Sequence, residues 1–166
     1  MTQPMRTALT LVALGVLLVL AALWGWNAAM KPLPAKVDSA VCVDTDVAAG
    51  EKVYPQQVTV SVYNAGRREG LAGRTMQLLT DEGFAKGNAG NAASAKVSTI
   101  AIWTTTPKNP DVRLVASYFD HPKIERRDGP GAGVTVIVGD GFKTLAKGAG
   151  AARAASDATI CSPPVT

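Results

Sequence analysis

The feature that most constrains this chain is one long uncharged segment near its N-terminus. The 24 residues between Arg6 and Lys31 contain no charged side chain. As a helix rising about 1.5 Å per residue, they would span roughly 36 Å, more than the bilayer hydrocarbon thickness of about 30 Å. Trp24 and Trp26 lie near the end of the segment, and tryptophan favours the membrane interface. Because the rest of a 166-residue chain could not bury this segment, we predict a transmembrane helix over residues 7–30.

A cleaved secretory signal is the competing interpretation of this segment. The apolar regions of signal peptides usually run to about 7–15 residues and are therefore shorter. The tripeptide Asn27-Ala28-Ala29 is a poor cleavage site, because asparagine takes a position that prefers a small residue. We therefore favour an uncleaved single-pass anchor that contacts membrane lipid and follows a cytoplasmic tail of residues 1–6.

The two cysteines, Cys42 and Cys161, lie near opposite ends of the polar part of the chain. Their placement predicts a disulfide bond, which persists only in an oxidising compartment. The positive charges on the two sides of the apolar segment nearly balance, so the cysteines decide the topology. We expect a plasma-membrane protein with a cytoplasmic N-terminus and an extracytoplasmic domain. Two unrelated buried thiols are the alternative, while a zinc site is disfavoured because it needs about four ligands and His121 is the only histidine.

The residue pattern after this segment predicts a small α+β domain. The predicted elements are a strand over 58–63, a helix from Gly70 to Gly83, a short strand from Phe84, a strand over 97–103, a helix capped by Asn109 that ends at His121, and strands over 123–127 and 134–138. Residues 87–94 are too rich in glycine, asparagine and alanine to extend the short strand. The order β-α-β-β-α-β, with one extra strand, predicts two layers with both helices on one face of a mixed sheet. A ferredoxin-like arrangement is one solution.

Two flanks without strong apolar periodicity border this domain. Residues 31–55 form a predicted extracytoplasmic linker, which begins with the extended spacer Lys31-Pro32-Leu33-Pro34 and carries Cys42. Residues 143–166 form a predicted tail that carries Cys161. The alanine and glycine content of this tail is typical of a flexible connector.

Several short motifs follow one another in a characteristic order along the domain. They are Val60-Ser61-Val62-Tyr63-Asn64-Ala65-Gly66, Gly70-Leu71-Ala72, Gly83-Phe84, Gly90-Asn91-Ala92, Thr99-Ile100 and Val134-Thr135-Val136-Ile137-Val138-Gly139. Together, over residues 56–142, they resemble the LytR C-terminal domain family. At its end the chain has Gly139-Asp140-Gly141-Phe142, where the family often has Gly-x-Asp-aromatic.

The resemblance implies an extracytoplasmic domain without established chemistry. The layout of a tail, an apolar segment and one such domain is similar to that of actinobacterial proteins needed for envelope integrity. In longer relatives the domain follows a LytR-CpsA-Psr catalytic domain, which transfers glycopolymers onto peptidoglycan. The linker over residues 31–55 is too short to hold that catalytic domain.

The residues themselves offer little catalytic chemistry. His121 sits at a predicted helix end, where a solvated position is expected. Neither of the carboxylate pairs, Asp81-Glu82 and Asp44/Asp46, has a neighbour in sequence that would adapt it to catalysis, so we assign them no role. We predict that the protein is not an enzyme and that it has no catalytic residue, no metal and no cofactor.

The loop that follows the first predicted strand is the candidate binding site. The spacing of Gly66, Gly70 and Gly73 is similar to that of dinucleotide-binding turns, but the domain is too small for a doubly wound fold. Free N–H groups at the helix start, with Arg67 and Arg68 beside them, could receive an anion. The candidate anion- or partner-binding residues are Asn64, Gly66, Arg67, Arg68 and Gly70. Surface charge that only aids solubility is the alternative.

The net charge of +4 is mild, and basic residues are dispersed among acidic ones. This suits proximity to anionic wall polymer or lipid headgroups but not nucleic acid. We therefore expect a non-catalytic module that binds an envelope protein or a cell-wall glycopolymer. Partner proteins are favoured over sugar, because aromatic side chains make up only 5% of the chain. The alternatives are an accessory enzyme of envelope glycopolymer attachment, which would show a concave polar site, and a structural subunit of a membrane complex.

Overall fold

Helix α1 runs over Gln3–Ala29 in a computed structural model that describes residues 3–29 and 41–164. The large apolar side chains described in this helix, including Trp24 and Trp26, are exposed. Among the described residues, no helix combines the length and the apolar character needed to cross a membrane. The transmembrane segment at 7–30 therefore stays a prediction, and the predicted spacer at 31–34 lies outside the described residues.

Residues 41–164 contain nine strands, one short 3-10 helix and two α-helices. The strands are β1 Val43–Val47, β2 Lys52–Val53, β3 Thr59–Asn64, β4 Ala85–Asn91, β5 Ile100–Thr104, β6 Lys123–Arg126, β7 Val134–Val138, β8 Ala152–Arg153 and β9 Ala158–Ser162. The helices are the 3-10 turn Pro55–Gln57, α2 Leu71–Asp81 and α3 Pro110–Ala116. From β3 to β7 the elements occur in the predicted order, and β7 has the predicted bounds.

Five strands form one mixed sheet in the order β4-β3-β7-β5-β6. Strand β3 is parallel to β4 and β7, while β5 is parallel to β6 and antiparallel to β7. The sheet thus contains two β-α-β units, β3-α2-β4 and β5-α3-β6, which β7 joins. The ferredoxin-like arrangement is not the one observed, because it would place another strand between the two strands of each unit.

The main core lies where α2 and α3 pack on one face of this sheet. Buried side chains of both helices and alternate positions of β3, β5 and β7 form a single apolar cluster. Its fully buried members include Val60, Leu79, Ile102, Leu114 and Val136. Each side chain of this kind contributes about 1.5–3 kcal/mol when it is removed from water. The domain is therefore an α+β fold built on a mixed sheet.

The helix ends follow local signals only in part. Gly83 adopts the left-handed conformation at φ 96° just after α2, as predicted. Asn109 immediately precedes α3, but its side chain does not cap the helix; its Nδ2 instead donates to the Thr159 carbonyl at 2.9 Å. Helix α3 ends at Ala116, before the predicted end at His121.

Strand β4 extends through the segment whose composition predicted otherwise. It pairs with β3 from Ala85 to Asn91, and this pairing uses backbone N–H and C=O groups rather than apolar side chains. A side chain at Gly87 would collide with the Val60 carbonyl. The prediction failed because strand pairing needs only backbone groups, and the close approach of β3 at Gly87 itself requires glycine.

The two flanks pair with each other, which the sequence did not predict. Strands β1 and β9 form one antiparallel ribbon, and β2 and β8 form another. Ile160, Ala152 and Ala154 of the second flank are buried in the main core. The predicted flexible connector therefore includes ordered strand, because backbone pairing and small apolar side chains suffice to hold it.

The structure joins Cys42 and Cys161 in a disulfide bond, the pairing that the sequence predicts. Their Cα atoms lie 5.4 Å apart, and the bond links positions separated by 119 residues. Cys161 lies on β9 opposite Asp44 of β1. The bond therefore reinforces the ribbon that brings the two ends of the domain together.

We expect the double substitution Cys42→Ser and Cys161→Ser to lower the free energy of unfolding. Closing a loop of this length removes enough chain entropy from the unfolded state for a loss of up to about 4–5 kcal/mol. Chemical denaturation measures the loss, and reductant should reproduce it in the wild type while leaving the variant unchanged. Two free thiols in non-reducing mass spectrometry would contradict the pairing.

Candidate functional site

The loop between β3 and α2 brings the five predicted binding residues together, and Asn64 organises it. The Asn64 Oδ1 accepts the Gly66 N–H at 2.8 Å, and its Nδ2 donates to the Arg68 carbonyl at 2.8 Å. Gly70 has φ 69° immediately before α2, a conformation that favours glycine. The loop is therefore closed by its own side-chain and backbone groups.

Asp140, which follows β7, holds this loop through its carboxylate. The Arg67 N–H donates to Oδ1 at 2.9 Å and to Oδ2 at 3.0 Å, and the Arg68 N–H donates to Oδ1 at 3.0 Å. These bonds, from Arg67 first and then from Arg68, hold the pKa of Asp140 below its ordinary value, because they favour the charged form. The loop N–H groups of Arg67 and Arg68, just before the helix start that was predicted to receive an external anion, thus already bind a carboxylate of the same chain.

Gly66 is the residue that lets the carboxylate approach. A Cβ atom at this position would overlap the side chain and the backbone nitrogen of Asp140. The Arg68 side chain secures the same contact from the other side, since its Nη1 donates to the carbonyls of Asp140 at 3.2 Å and Phe142 at 3.0 Å. The loop and the segment after β7 therefore form one hydrogen-bonded unit.

A cavity of about 380 Å³ opens beside this unit, and we call it the basic cavity. Three of its lining side chains are cationic, namely Arg68, Arg74 and Lys143. Three others are apolar, namely Leu71, Leu78 and Phe142. No carboxylate lies among the lining residues that the structure describes. The basic cavity therefore combines anion-binding groups with an apolar wall.

A second concave region carries the opposite charge, and no motif in the sequence predicted it. One cavity of about 340 Å³ is lined by Asp44, Asp111, Asp128 and Trp103, among others, and an adjoining cavity of about 760 Å³ is lined by Asp46, Glu51 and Asp157, among others. The two share Thr106, Asn109 and Thr159, and we call them together the acidic cleft. Within residues 3–29 and 41–164, no group of three or more His, Cys, Asp or Glu residues is placed to hold a metal ion.

Asp111 is the buried carboxylate of the acidic cleft. Only 7% of the residue is exposed, and this burial raises the pKa of its carboxyl to about 6. The Val112 N–H donates to Oδ1 at 2.7 Å and partly opposes that rise. Asp44 and Asp46 fall in the predicted linker over residues 31–55, where the sequence pattern assigns them no role. The structure instead places both on β1, where they line the cleft.

The residues weighed as catalytic groups lie on the surface. The His121 side chain is 96% exposed, and its Nδ1 contacts the carboxylate of the neighbouring Asp120. Asp81 accepts a hydrogen bond from Gln77 on the outer side of α2. Neither geometry resembles the nucleophile–base pair that covalent catalysis uses.

Comparison with known proteins now assigns the domain. Residues 57–142 match the family described as LytR cell envelope-related transcriptional attenuator, LytR_C. The chain belongs to the LytR C-terminal domain family. A similar solved structure is the soluble domain of a conserved hypothetical secreted protein from Mycobacterium marinum, with 24% identity and a TM-score of 0.42, over 59% of this chain and 76% of that chain. No curated protein matches the chain.

Membership of the LytR C-terminal domain family confirms the resemblance, and the structure shows what the aspartate at its departing end contacts. The chain carries its aspartate directly after Gly139, and Asp140 there reaches the loop after β3. Because β3 and β7 are parallel neighbours, with Asn64 opposite Val138, the residues that follow them meet at one sheet edge. The sequence did not predict this contact, because it left open which strands are neighbours in the sheet.

We expect Asp140→Ala to increase amide hydrogen exchange at Arg67 and Arg68 several-fold, because both N–H groups lose their acceptor. In the wild type the bonds depend on the charged carboxylate, so they are present above the ordinary pKa of aspartate and are lost as the pH falls through the lowered pKa of Asp140. Exchange measured by NMR tests this prediction. The exposed Asp120→Ala is the control, and equal exchange in both variants would contradict it.

We expect Asp111→Asn to raise the free energy of unfolding at pH 7, by roughly 1–3 kcal/mol. The folded wild type keeps the Asp111 proton up to a pKa of about 6, whereas the unfolded chain releases it near 3.8. The contribution of Asp111 to wild-type stability therefore falls across this range, and asparagine avoids that fall. Denaturation between about pH 4 and 7 should show the difference growing with pH. The exposed cleft variant Asp128→Asn is the control, and a pH-independent difference would contradict the assignment.

Proposed function

We propose that this chain is a membrane-anchored, extracytoplasmic, non-catalytic module that supports cell-envelope integrity. It binds an envelope partner protein or a wall glycopolymer. The observation that carries the proposal is the basic cavity beside the loop that Asp140 holds in place. A preformed loop with adjacent cations recognises a ligand without first having to become ordered. Membership of the LytR C-terminal domain family supports the envelope setting.

The disulfide bond supports an extracytoplasmic location for the domain. A bond between Cys42 and Cys161 persists in an oxidising space and is rare in the cytosol. It also connects the two flanks that frame the domain, so reduction would loosen both ribbons. This favours a domain that works outside the cytoplasm.

The anchor part of the proposal depends on the sequence. The uncharged stretch between Arg6 and Lys31 is long enough to span a bilayer as a helix. With the domain outside, the short segment before the stretch lies in the cytoplasm. A module tethered in this way meets partners close to the membrane, which favours envelope proteins over distant wall polymer.

An accessory enzyme of envelope glycopolymer attachment is the second candidate function, because the acidic cleft supports it. The cleft is concave, carries converging polar groups and contains Asp111, whose pKa is raised to about 6. Such features are found at catalytic sites as well as at binding sites. The loop and the basic cavity carry the first candidate, since they offer recognition groups rather than a nucleophile.

We expect Arg67→Ala with Arg68→Ala to weaken retention of the full chain by envelope material roughly tenfold. The full-length protein, purified in a neutral detergent, is tested against peptidoglycan, wall glycopolymer and membrane extract. Lys86→Ala with Arg126→Ala is the matched control, since it removes the same charge from exposed strand positions.

Arg67→Ala alone is the second variant, because Arg68 also bonds to backbone carbonyls and its loss could disturb the loop. Retention that responds equally to the test and control pairs would refute a specific site. Retention only within a stable membrane complex, unaffected by any of these charges, would assign the protein to the structural-subunit alternative.

A further inference from the structure

The basic cavity has two kinds of wall, and both bear on the ligand. Its volume of about 380 Å³ falls within the range of about 300–1,000 Å³ typical of small-molecule sites. Arg68, Arg74 and Lys143 supply positive charge, and no described lining residue opposes it. An occupant that complements these side chains carries negative charge.

The arginines can bind an anion without giving up their structural contacts. Arg68 uses Nη1 for the Asp140 and Phe142 carbonyls, and Arg74 uses Nη2 for the Glu69 carbonyl at 3.0 Å. A guanidinium has five N–H donors in a planar fork, so each side chain retains donors for a second acceptor. The backbone contacts also hold both groups in place, which reduces the entropy lost on binding.

The apolar wall selects among anions. Leu71 and Phe142 line the cavity but are themselves buried, and Leu78 is half-buried and packs against the main core. A small inorganic ion or a fully hydroxylated sugar phosphate would leave the exposed part of this wall, chiefly Leu78, in contact with water. An apolar chain attached to the anion would cover the wall and gain the hydrophobic contribution.

We propose that the basic cavity binds an amphipathic anion, namely a phosphate group carried on an apolar chain, as in a phospholipid-type molecule. The phosphate lies against Arg68, Arg74 and Lys143, and the chain lies along Leu71, Leu78 and Phe142. The inference rests on the proposed function, because the envelope setting places the cavity near such molecules. An acidic protein segment is the competing occupant, and the test includes it.

The probe is hexyl phosphate, titrated by calorimetry into the full-length protein in a neutral detergent, with a protein-free micelle blank. Inorganic phosphate and hexanol are the two single-feature probes. We expect hexyl phosphate to bind at least about tenfold more tightly than either. If inorganic phosphate binds as tightly as hexyl phosphate, the proposed role of the apolar wall is overturned. If hexanol binds as tightly as hexyl phosphate, the proposed role of the cationic side chains is overturned.

Variants of the lining residues test whether hexyl phosphate binds in the basic cavity. We expect Arg74→Gln with Lys143→Gln to weaken hexyl phosphate about tenfold or more, and Leu78→Ala to weaken it without changing the affinity for inorganic phosphate. The matched control is Lys86→Gln with Arg126→Gln. Identical affinities of all variants for hexyl phosphate would show that it only partitions into micelles, and this would overturn the proposal. Tighter binding of a hexaglutamate peptide than of hexyl phosphate would also overturn it, in favour of an acidic protein segment.

The hexyl phosphate titration and the envelope-retention assay test the two proposals separately. If hexyl phosphate fails to bind while Arg67→Ala still reduces retention by envelope material, the phosphate-lipid inference falls and the binding module stands. If hexyl phosphate binds while envelope retention ignores the loop charges, the cavity is a lipid-phosphate site and the partner-binding proposal falls.

Discussion

The fold depends on the position of strand β7 between the two β-α-β units. All residues of Val134–Val138 are buried, and the strand pairs with β3 on one side and β5 on the other. Each unit without β7 would leave an unpaired strand edge and an incompletely covered apolar face. The strand also ends beside β3, which places Asp140 within hydrogen-bond distance of Arg67 and Arg68. One buried strand therefore joins the sheet and orders the candidate binding loop.

Charge is segregated on this mildly basic domain. The basic cavity gathers three cations beside the loop, whereas the acidic cleft is lined by six of the chain's 13 acidic residues. Such separation strengthens the local potential at each concave region beyond what the net charge suggests. The two concave regions therefore favour ligands of opposite charge.

The flanks give the domain its second structural constraint. Strands β1 and β9 pair along their length, and the bond between Cys42 and Cys161 joins them covalently. Small side chains such as Ala152 and Ala154 then fit into the core beside Ile160. The acidic cleft is lined partly by the same ribbon, through Asp44, so its shape depends on the paired flanks.

The sequence by itself determined the features that are local. The β-branched run at 134–138 specified a strand, Gly83 specified a helix end, and the cysteines specified a bond between distant ends. Backbone preference and side-chain chemistry act at those positions directly. Only the tertiary structure decided the strand order, and with it the contact of Asp140 with the loop and the burial of Asp111. Those outcomes depend on which strands become neighbours. Neighbours are chosen by the combined burial of the whole sheet, and no single segment encodes that sum.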